Sequence, residues 1–360
     1  MSLKIAVLGS NFIRIPPTPP EKYVPAGYSG APEMIMHQVT EGLVNRGHTV
    51  TLFASGDSQT SARLVSVTKE ATALGIGPGP HLEYERVLIS KAYQMALAGE
   101  FDVIHSHFDT QTAHFAPLVH VPTVSTLHSP LNGLVKDILQ NYAQTQYYAS
   151  ISNNQRLGLP ELNYIATCYN GIDMASIPVA DAKEGYFIMA GRVVAEKGVA
   201  EGIEVAQQTQ TRLHIYGSVD ESSAYWQEKI KPHIDGKLVI YGGLVSQSQL
   251  REAMSKAKAL LFPIQWEEPF GLVMVEAMAC GTPVIALRRG SVSEIVIDGR
   301  TGFIVDTIEE MVKAVSRLSE IKTSDCRQRA QDNFSTAKMV ADYETAYYKI
   351  LEQDKKKKSN

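Results

Sequence analysis

The chain has 360 residues, of which 44% are hydrophobic and 20% are charged, and its formal net charge at pH 7 is −4. This length exceeds what one hydrophobic core usually supports, so we expect two domains. The slightly acidic charge gives no electrostatic reason to expect a nucleic acid as the partner. The three cysteines, Cys168, Cys280 and Cys326, show no paired spacing. This argues against a disulfide framework and a zinc site and suits a reducing compartment.

The two ends of the chain carry no targeting or membrane-spanning pattern. The run "KIAVLGS" is too short for a signal peptide, and no stretch reaches the apolar length that crosses a bilayer. We therefore expect a cytoplasmic protein. The final residues 355–360 form a basic tail with four consecutive lysines, for which a disordered, solvated terminus is the favoured interpretation. The alternative is a weak peripheral contact with an anionic membrane surface.

The first half of the chain alternates strand-like and helix-like segments. "KIAVLG" is typical of a buried strand, "PEMIMHQVTEGLVNRG" has apolar residues at helical spacing, and "HTVTLFASG" predicts a second strand. "ERVLISKAYQMALAGE" then predicts a helix, and "FDVIHSHF", "VPTVSTLHS" and "YYASISNN" predict three more strands. Such alternation predicts parallel βαβ units and a doubly wound sheet. In these sheets ligands bind beyond the carboxyl ends of the strands.

A linker-like segment, "CYNGIDMASIPVADAKEG", interrupts the alternation, which then restarts with six further strand patterns. The six patterns are "YFIMAGR", "TRLHIYG", "KLVIYGG", "ALLFPI", "PVIALRRG" and "TGFIV". We predict an α/β protein of two Rossmann-like, doubly wound parallel-sheet domains facing a cleft, over residues 1–172 and 173–335. Residues 336–354 predict a C-terminal helix, and the sequence leaves open where it packs, with the first domain as one candidate.

A dinucleotide-dependent dehydrogenase is the first competing interpretation of two such domains. Its G-x-G-x-x-G loop should follow the first strand, but the chain has "VLGSNFIRIPP" there, with Gly9 alone and two prolines. The same loop is missing after "YFIMAG", where Arg192 follows. The sequence therefore disfavours this class.

The segment "EEPFGLVMVEAMACGTPVIA" places two carboxylates, Glu268 and Glu276, around a glycine turn and the start of a helix. A helix N-terminus presents unpaired N–H groups, and Gly271 permits close approach, so the amides of Phe270, Gly271 and Leu272 predict a phosphate cradle. Carboxylates accept hydrogen bonds from sugar hydroxyls, which suits a nucleotide sugar. The alternative is a capping Glu268 and a buried, paired Glu276. We expect the neighbouring Glu267 to point to solvent.

This segment resembles the signature segment of the family-4 retaining glycosyltransferases, which have the two-domain GT-B fold. "AGRVVAEKG" is similar to the opening of the family's second domain, and "YNGID" is similar to its interdomain linker. "SVSEIVIDGRTGFIV" and "RGHTVTLFASGDS" resemble further family segments. The matches run in the expected order from residue 5 to about residue 350. The resemblance implies the GT-B fold and a hexosyltransferase type of reaction.

The resemblance also implies a role for single residues of the second domain. Arg192 and Lys197 match the family's arginine and lysine, which bind the donor diphosphate. Glu276 would accept hydrogen bonds from the ribose diol and Glu268 from a hydroxyl of the donor sugar. Phe270, Gly271 and Leu272 would complete the donor site. An ion pair on the surface is the alternative for either cation taken alone.

In the first domain, the resemblance implies that the backbone or ring of His128, which follows the strand in "STLHSP", contacts the transferred sugar. On the preceding strand end, alternation puts His105 and His107 on one sheet face, with Asp109 beyond. Of the two, His107 is the better candidate for lining the acceptor site. Gly30, in "YSGAPEMIM", matches the family's glycine loop less well, because Ser29 replaces one glycine and an extra residue precedes Glu33. We expect it to approach the donor phosphate or the acceptor.

The implied reaction is transfer from a UDP- or GDP-sugar to an acceptor hydroxyl with retention, by a same-face route in which the leaving phosphate takes the acceptor proton. The acceptor would be a glycan, a lipid-linked molecule or a small molecule. No cofactor and no metal are expected, since cations and helix amides stabilise the departing diphosphate. A sugar-nucleotide epimerase and a non-catalytic nucleotide-sugar-binding protein remain the alternatives. Neither the acceptor nor the oligomeric state can be read from the sequence.

Overall fold

Two parallel sheets hold all the strands that the sequence predicts. The computed structural model describes residues 2–18, 28, 30–75 and 80–359. The first sheet contains β1 (Lys4–Leu8), β2 (Thr49–Phe53), β3 (Arg63–Val65), β4 (Val103–Ser106), β5 (Thr123–Leu127), β6 (Tyr147–Ser150) and β7 (Tyr164–Thr167). The second contains β8 (Tyr186–Ala190), β9 (Arg212–Tyr216), β10 (Val239–Gly243), β11 (Ala259–Phe262), β12 (Val284–Leu287) and β13 (Gly302–Val305).

Both sheets have the Rossmann strand order. The first runs β3-β2-β1-β4-β5-β6-β7 and the second β10-β9-β8-β11-β12-β13, with every pairing parallel. In each sheet the chain starts in the middle, builds one side and returns to build the other. This confirms the prediction of two Rossmann-like α/β domains. β3 and β7 were not predicted; both are short strands at the edges of the first sheet.

The helices follow the strands as βαβ units require. In chain order they are α1 (Ala31–Asn45), α2 (Thr72–Gly75), α3 (His81–Leu97), α4 (Gly133–Leu139), α5 (Asn153–Arg156), α6 (Val199–Thr209), α7 (Gln247–Lys256), α8 (Leu272–Ala279), α9 (Val292–Ile295), α10 (Ile308–Val315), α11 (Thr323–Phe334) and α12 (Thr336–Ser359). A π-helical turn spans Tyr225–Ile230. No described helix combines the length and the apolar character that crossing a membrane needs.

The chain divides into two units, of which the first comprises Met1–Gly171 with Thr336–Asn360 and the second Ile172–Ser335. The last helix, α12, therefore belongs to the first unit. Its Glu344 carboxylate lies 2.9 Å from His48 Nε2 and also pairs with Arg46. Its Tyr343 and Tyr347 side chains are fully buried.

The C-terminal segment is helical further than expected from the sequence. Helix α12 continues to Ser359, whereas a disordered tail was expected from residue 355. Lysine is a good helix former, and Lys356 donates to Glu352 one turn earlier at 2.7 Å. Both effects extend a helix that is already anchored. Part of the proline-rich loop at residues 14–27, namely residues 19–27, lies outside the described residues.

We expect Gly42→Ala to destabilise the first unit, because the added Cβ would overlap the Cγ2 of Val340 on helix α12. Valine is stiff in a helix, so the overlap should cost about 1–3 kcal/mol of unfolding free energy in urea denaturation. Gly185→Ala is the control, since nothing lies within 4 Å of its added Cβ. Equal unfolding free energies of the two variants would contradict this packing.

Candidate functional site

The predicted donor residues of the second unit lie where its strand order reverses. This reversal falls between β8 and β11, which are neighbours in the sheet. Arg192 follows the carboxyl end of β8, and the loop 263–271 follows that of β11. Arg192 and Lys197 line one pocket there together with Gly191, Tyr216 and Phe262. Ligands of open α/β sheets bind at this kind of position.

Lys197 and Glu268 are brought into direct contact. The Lys197 ammonium forms an ion pair with Glu268 Oε2, and the two side chains are only 22% and 13% exposed. Trp266 Nε1 donates to the same oxygen at 3.1 Å. The Lys197 Nζ also lies 5.0 Å from the centre of the Trp266 ring. Both donors use Oε2, so the carboxylate is held at one oxygen and the other can accept a further hydrogen bond.

Arg192 is held less firmly. Its guanidinium pairs with Glu196 at 3.0 Å, and both side chains are about two-fifths exposed (39% and 43%). Exposed pairs of this spacing contribute well under 1 kcal/mol to stability. The Arg192 side chain can therefore turn toward an anion in the pocket at little cost.

Hydrogen bonds from the turn after β12 hold the backbone of the loop that contains Glu268. Ser291 N–H donates to Glu268 O at 3.0 Å, and a Cβ at Gly290 would overlap the Glu268 backbone. Gly290 N–H donates to Glu267 Oε2 at 2.6 Å. The Glu267 side chain is exposed, as expected, but its carboxylate fixes this turn instead of pointing freely to solvent.

The predicted phosphate cradle has the backbone geometry that it needs. Gly271 has a φ of 82° and is the N-cap of α8, so Leu272 begins the helix. The first amides of a helix have no acceptor within it and point outward from its positive end. The Phe270 ring is 2% exposed and packs in the core. Phe270 can therefore contribute to a ligand site through its backbone only.

Glu276 lies on α8 and faces helix α7. Gln247 Nε2 donates to Glu276 Oε1 at 3.3 Å, and Arg251 Nη2 lies 3.9 Å from the same oxygen. Burial raises the pKa of Glu276, and the Arg251 charge and the Gln247 hydrogen bond oppose this. The Glu276 carboxylate can still accept further hydrogen bonds, because the Arg251 contact is too long for a hydrogen bond and the Gln247 contact is near the upper limit of one.

In the first unit, the structure brings His107 and His128 together after β4 and β5. His107 Nδ1 lies 3.0 Å from His128 Nε2, and the two rings stack with centroids 5.3 Å apart. The His128 backbone N–H donates to Asp109 Oδ1 at 2.7 Å. The backbone N–H of His128 is thus occupied by the Asp109 carboxylate.

His107 is largely buried beside His128. It is 5% exposed, and its Nε2 atom is buried with no hydrogen-bond partner in the described residues. That His107 lines an acceptor site stays a prediction. The shared sheet face of His105 and His107 is as expected, with ring centroids 4.3 Å apart.

Burial keeps these histidines neutral. It lowers the pKa of His105 to about 3 and that of His107 well below its usual range. It also lowers the pKa of His128, although the Asp109 carboxylate opposes this. At neutral pH each ring therefore carries one proton, and the hydrogen bonds decide which nitrogen holds it.

Gly30 is the N-cap of helix α1 and has a left-handed backbone with a φ of 65°. Glu33, in the first turn, is 8% exposed and bonds to Ser10 just after β1. Burial raises the pKa of Glu33 to about 7, and the Glu85 carboxylate adds to this. The Glu33 carboxyl group, three positions after Gly30, is therefore partly protonated at neutral pH.

Three residues of the donor region were not singled out from the sequence: Trp266, Gln247 and Arg251. Trp266 stands two positions before Glu268, and its indole N–H in a polar loop was a usable signal. Gln247 and Arg251 approach Glu276 from a different helix, and no local pattern indicates this. Among the residues that the structure describes, no three His, Cys, Asp or Glu side chains are grouped as a metal ion requires.

Two family profiles match the chain. "Glycosyltransferase Family 4" matches residues 32–175, and "Glycosyl transferases group 1" matches residues 174–334. N-acetyl-alpha-D-glucosaminyl L-malate synthase of Bacillus anthracis is 24% identical, over 92% of this chain and 97% of that protein. Glycogen synthase of Mycobacterium tuberculosis is 26% identical, over 74% of this chain and 76% of that protein.

Solved structures share the fold at low sequence identity. Sucrose-phosphate synthase from Thermosynechococcus elongatus superposes with a TM-score of 0.74 at 19% identity, covering 97% of this chain and 99% of that one. The Anabaena protein Alr3699/HepE in complex with UDP gives a TM-score of 0.70 at 18% identity, covering 98% and 99%.

We expect Glu33→Gln to flatten the pH dependence of stability between about pH 4.5 and pH 7. The folded-state pKa of Glu33 is raised to about 7 from 4.5, so folding favours the protonated group and stability is lost as the pH rises. The wild type should lose about 3 kcal/mol more unfolding free energy than Glu33→Gln across this window.

Urea denaturation at successive pH values measures this difference. Glu83→Gln is the control, because it removes a carboxylate of the same unit that is 70% exposed. If the control flattens the profile as much as Glu33→Gln does, the burial of Glu33 is not the cause.

Proposed function

The chain belongs to the family-4, group 1 glycosyltransferases, and on that premise we propose that it transfers a sugar from a UDP- or GDP-sugar to an acceptor hydroxyl with retention of configuration. The fold is GT-B, as in the structures that it resembles. The observation that carries the proposal is the group formed by Lys197, Glu268 and Trp266 at the strand-order reversal of the second unit. The UDP complex of the Anabaena neighbour supports a nucleoside diphosphate as the ligand class.

Arg192 and Lys197 are proposed to bind the donor diphosphate. Negative charge builds up on the leaving diphosphate as its bond to the anomeric carbon breaks. Two cations and the outward amides of Gly271 and Leu272 would stabilise that charge most in the transition state. In the free enzyme the Lys197 ammonium is neutralised by Glu268. The diphosphate must therefore compete with a carboxylate that is already in place.

Glu268 is proposed to accept a hydrogen bond from a hydroxyl of the donor sugar. Trp266 holds Oε2 from one side and Lys197 holds it from another, which fixes the direction of the second oxygen. An acceptor that is oriented before the ligand arrives loses less conformational freedom on binding. Hydrogen bonds from the backbone N–H groups of Gly290 and Ser291 fix the loop that contains Glu268.

Glu276 is proposed to accept hydrogen bonds from the ribose diol of the nucleotide. Two vicinal hydroxyls can bond to one carboxylate, and the long contacts with Gln247 and Arg251 leave it capacity for them. A ligand hydroxyl would also stabilise the ionised form of this buried group, whose pKa burial raises.

The proposed chemical step places attack and departure on the same face of the sugar. The bond between the anomeric carbon and the diphosphate oxygen breaks, and the acceptor oxygen forms its bond from the same side. The acceptor proton passes to the leaving phosphate oxygen, so no separate base is required. His128, which is neutral, would contact a sugar hydroxyl through its ring. Gly30 is proposed to let the backbone of the first unit approach the acceptor or the phosphate.

We expect the wild type to bind UDP or GDP in titration calorimetry and Glu276→Ala to bind the same nucleotide at least about tenfold more weakly. Hydrogen bonds to a charged group contribute about 1.5–3 kcal/mol, and tenfold in affinity corresponds to about 1.4 kcal/mol. The control is Glu252→Ala, which removes a carboxylate of helix α7 that is 65% exposed. Unchanged affinity in Glu276→Ala would exclude the ribose role.

We expect donor hydrolysis to release the sugar first as the anomer that it had in the donor. Water can replace the acceptor, and a same-face step keeps the configuration at the anomeric carbon. Proton NMR of UDP-glucose and GDP-sugars, recorded before the released sugar mutarotates, measures this anomer. The opposite anomer as first product would exclude retention, and an epimerised nucleotide sugar would favour the epimerase alternative.

A further inference from the structure

The C-terminal helix places two buried tyrosines against a buried histidine of the first sheet. Tyr343 and Tyr347 lie one turn apart on α12, and both are fully buried. His105, on β4, is also fully buried, and its ring centroid lies 4.7 Å from that of Tyr343 and 5.6 Å from that of Tyr347. None of these three residues has a part in the reaction proposed above.

The hydrogen bonds of this group determine where the His105 proton lies. Thr126 Oγ1 donates to Tyr343 OH at 3.1 Å, so its only proton is used there. His105 Nε2 lies 2.8 Å from Thr126 Oγ1 and must therefore donate to it. A neutral imidazole has one N–H, so His105 Nδ1 accepts from Tyr347 OH at 2.7 Å. The network thus selects the Nε2–H tautomer of His105.

This network is in contact with His107, which bonds to His128 of the candidate site. The His105 ring packs on that of His107 with centroids 4.3 Å apart, and His107 Nδ1 lies 3.0 Å from His128 Nε2. Thr126 is in β5, and His128 directly follows that strand. A change in the orientation of His105 would therefore reach His128 through His107.

The layer formed by His105, His107, His128, Tyr343 and Tyr347 is uncharged. Burial lowers the pKa of the histidines and raises the pKa of both tyrosines well above the usual range. Neutral buried rings are held by the direction of their hydrogen bonds. Loss of the Tyr347 hydroxyl would leave the buried His105 Nδ1 without a hydrogen-bond partner. The side chains of the layer would have to rearrange to give this nitrogen another partner.

We propose that Tyr347 and Tyr343 are positioning residues for His128: they fix, for Tyr343 through Thr126, the tautomer and orientation of His105 and, through His107, the ring of His128. This rests on the proposed contact of His128 with the sugar. The C-terminal helix thereby contributes to the active site without touching a substrate.

The test compares Tyr347→Phe with the control Tyr348→Phe, which alters a tyrosine of the same helix that is 36% exposed. Long-range proton–nitrogen NMR of protein labelled with ¹⁵N-histidine reports the tautomer of each ring, and a His105→Gln variant assigns its signals. We expect wild type and Tyr348→Phe to show Nε2–H with a hydrogen-bonded Nδ1 at His105. Tyr347→Phe should shift the His105 Nδ1 signal and change those of His107 and His128.

Activity supplies the second measurement. In Tyr347→Phe we expect kcat for sugar transfer or donor hydrolysis to fall about tenfold, while the affinity for UDP stays unchanged, because the residues proposed to bind the nucleotide lie in the second unit. Tyr343→Phe removes the acceptor of the Thr126 proton and should act in the same way. It also keeps the test valid if Tyr347→Phe does not fold.

Wild-type kcat together with unchanged His107 and His128 signals in a folded Tyr→Phe variant would overturn the proposal. So would an Nδ1–H tautomer of His105 in the wild type. An equal loss of kcat and of UDP affinity would also overturn it, because that pattern indicates general disruption. The NMR measurement needs no turnover, so it still decides the tautomer of His105 if the proposed reaction itself is wrong.

Discussion

The contact between Lys197 and Glu268 is the interaction on which the donor region depends. It joins the loop after β8 to the loop after β11 at the strand-order reversal, and it neutralises two charges that are mostly hidden from water. A buried charge without a partner is strongly destabilising, so each member keeps the other in place. Trp266 adds a hydrogen bond to Glu268 and an aromatic face to Lys197. The unliganded site is therefore ordered before any donor binds.

This order has a consequence for binding. A diphosphate brings more negative charge to Lys197 than one carboxylate does, and Arg192 can turn away from its exposed partner Glu196 to join it. Glu268 then needs a new donor in place of the ammonium, and a sugar hydroxyl can provide one. Nucleotide and sugar would thus be recognised together, because a sugar hydroxyl gives Glu268 a hydrogen bond when the phosphate draws the Lys197 ammonium away. A nucleotide without an attached sugar cannot donate this hydrogen bond to Glu268.

The sequence predicts the fold well because strand and helix patterns are local. It misses β3 and β7, which are short edge strands with little apolar alternation. The glutamate pair and the two cations were predicted as site residues from spacing and resemblance, whereas the contacts of Glu276 come from another helix and leave no local signal. Strand alternation put His105 and His107 on one face of the sheet, but it could not indicate that both side chains are buried.

The two units supply different physical environments to the proposed reaction. The second concentrates cations, carboxylates and helix amides, which suit a leaving group that becomes more negative. The first offers a neutral layer of histidines and tyrosines, in which one hydrogen bond joins His105 to Tyr347, 242 positions later in the chain. An oxocarbenium-like sugar carries positive charge, and a protonated His128 beside it would raise the barrier by repulsion. Burial lowers the pKa of that ring, so a neutral imidazole can bond to a sugar hydroxyl without opposing the charge on the sugar.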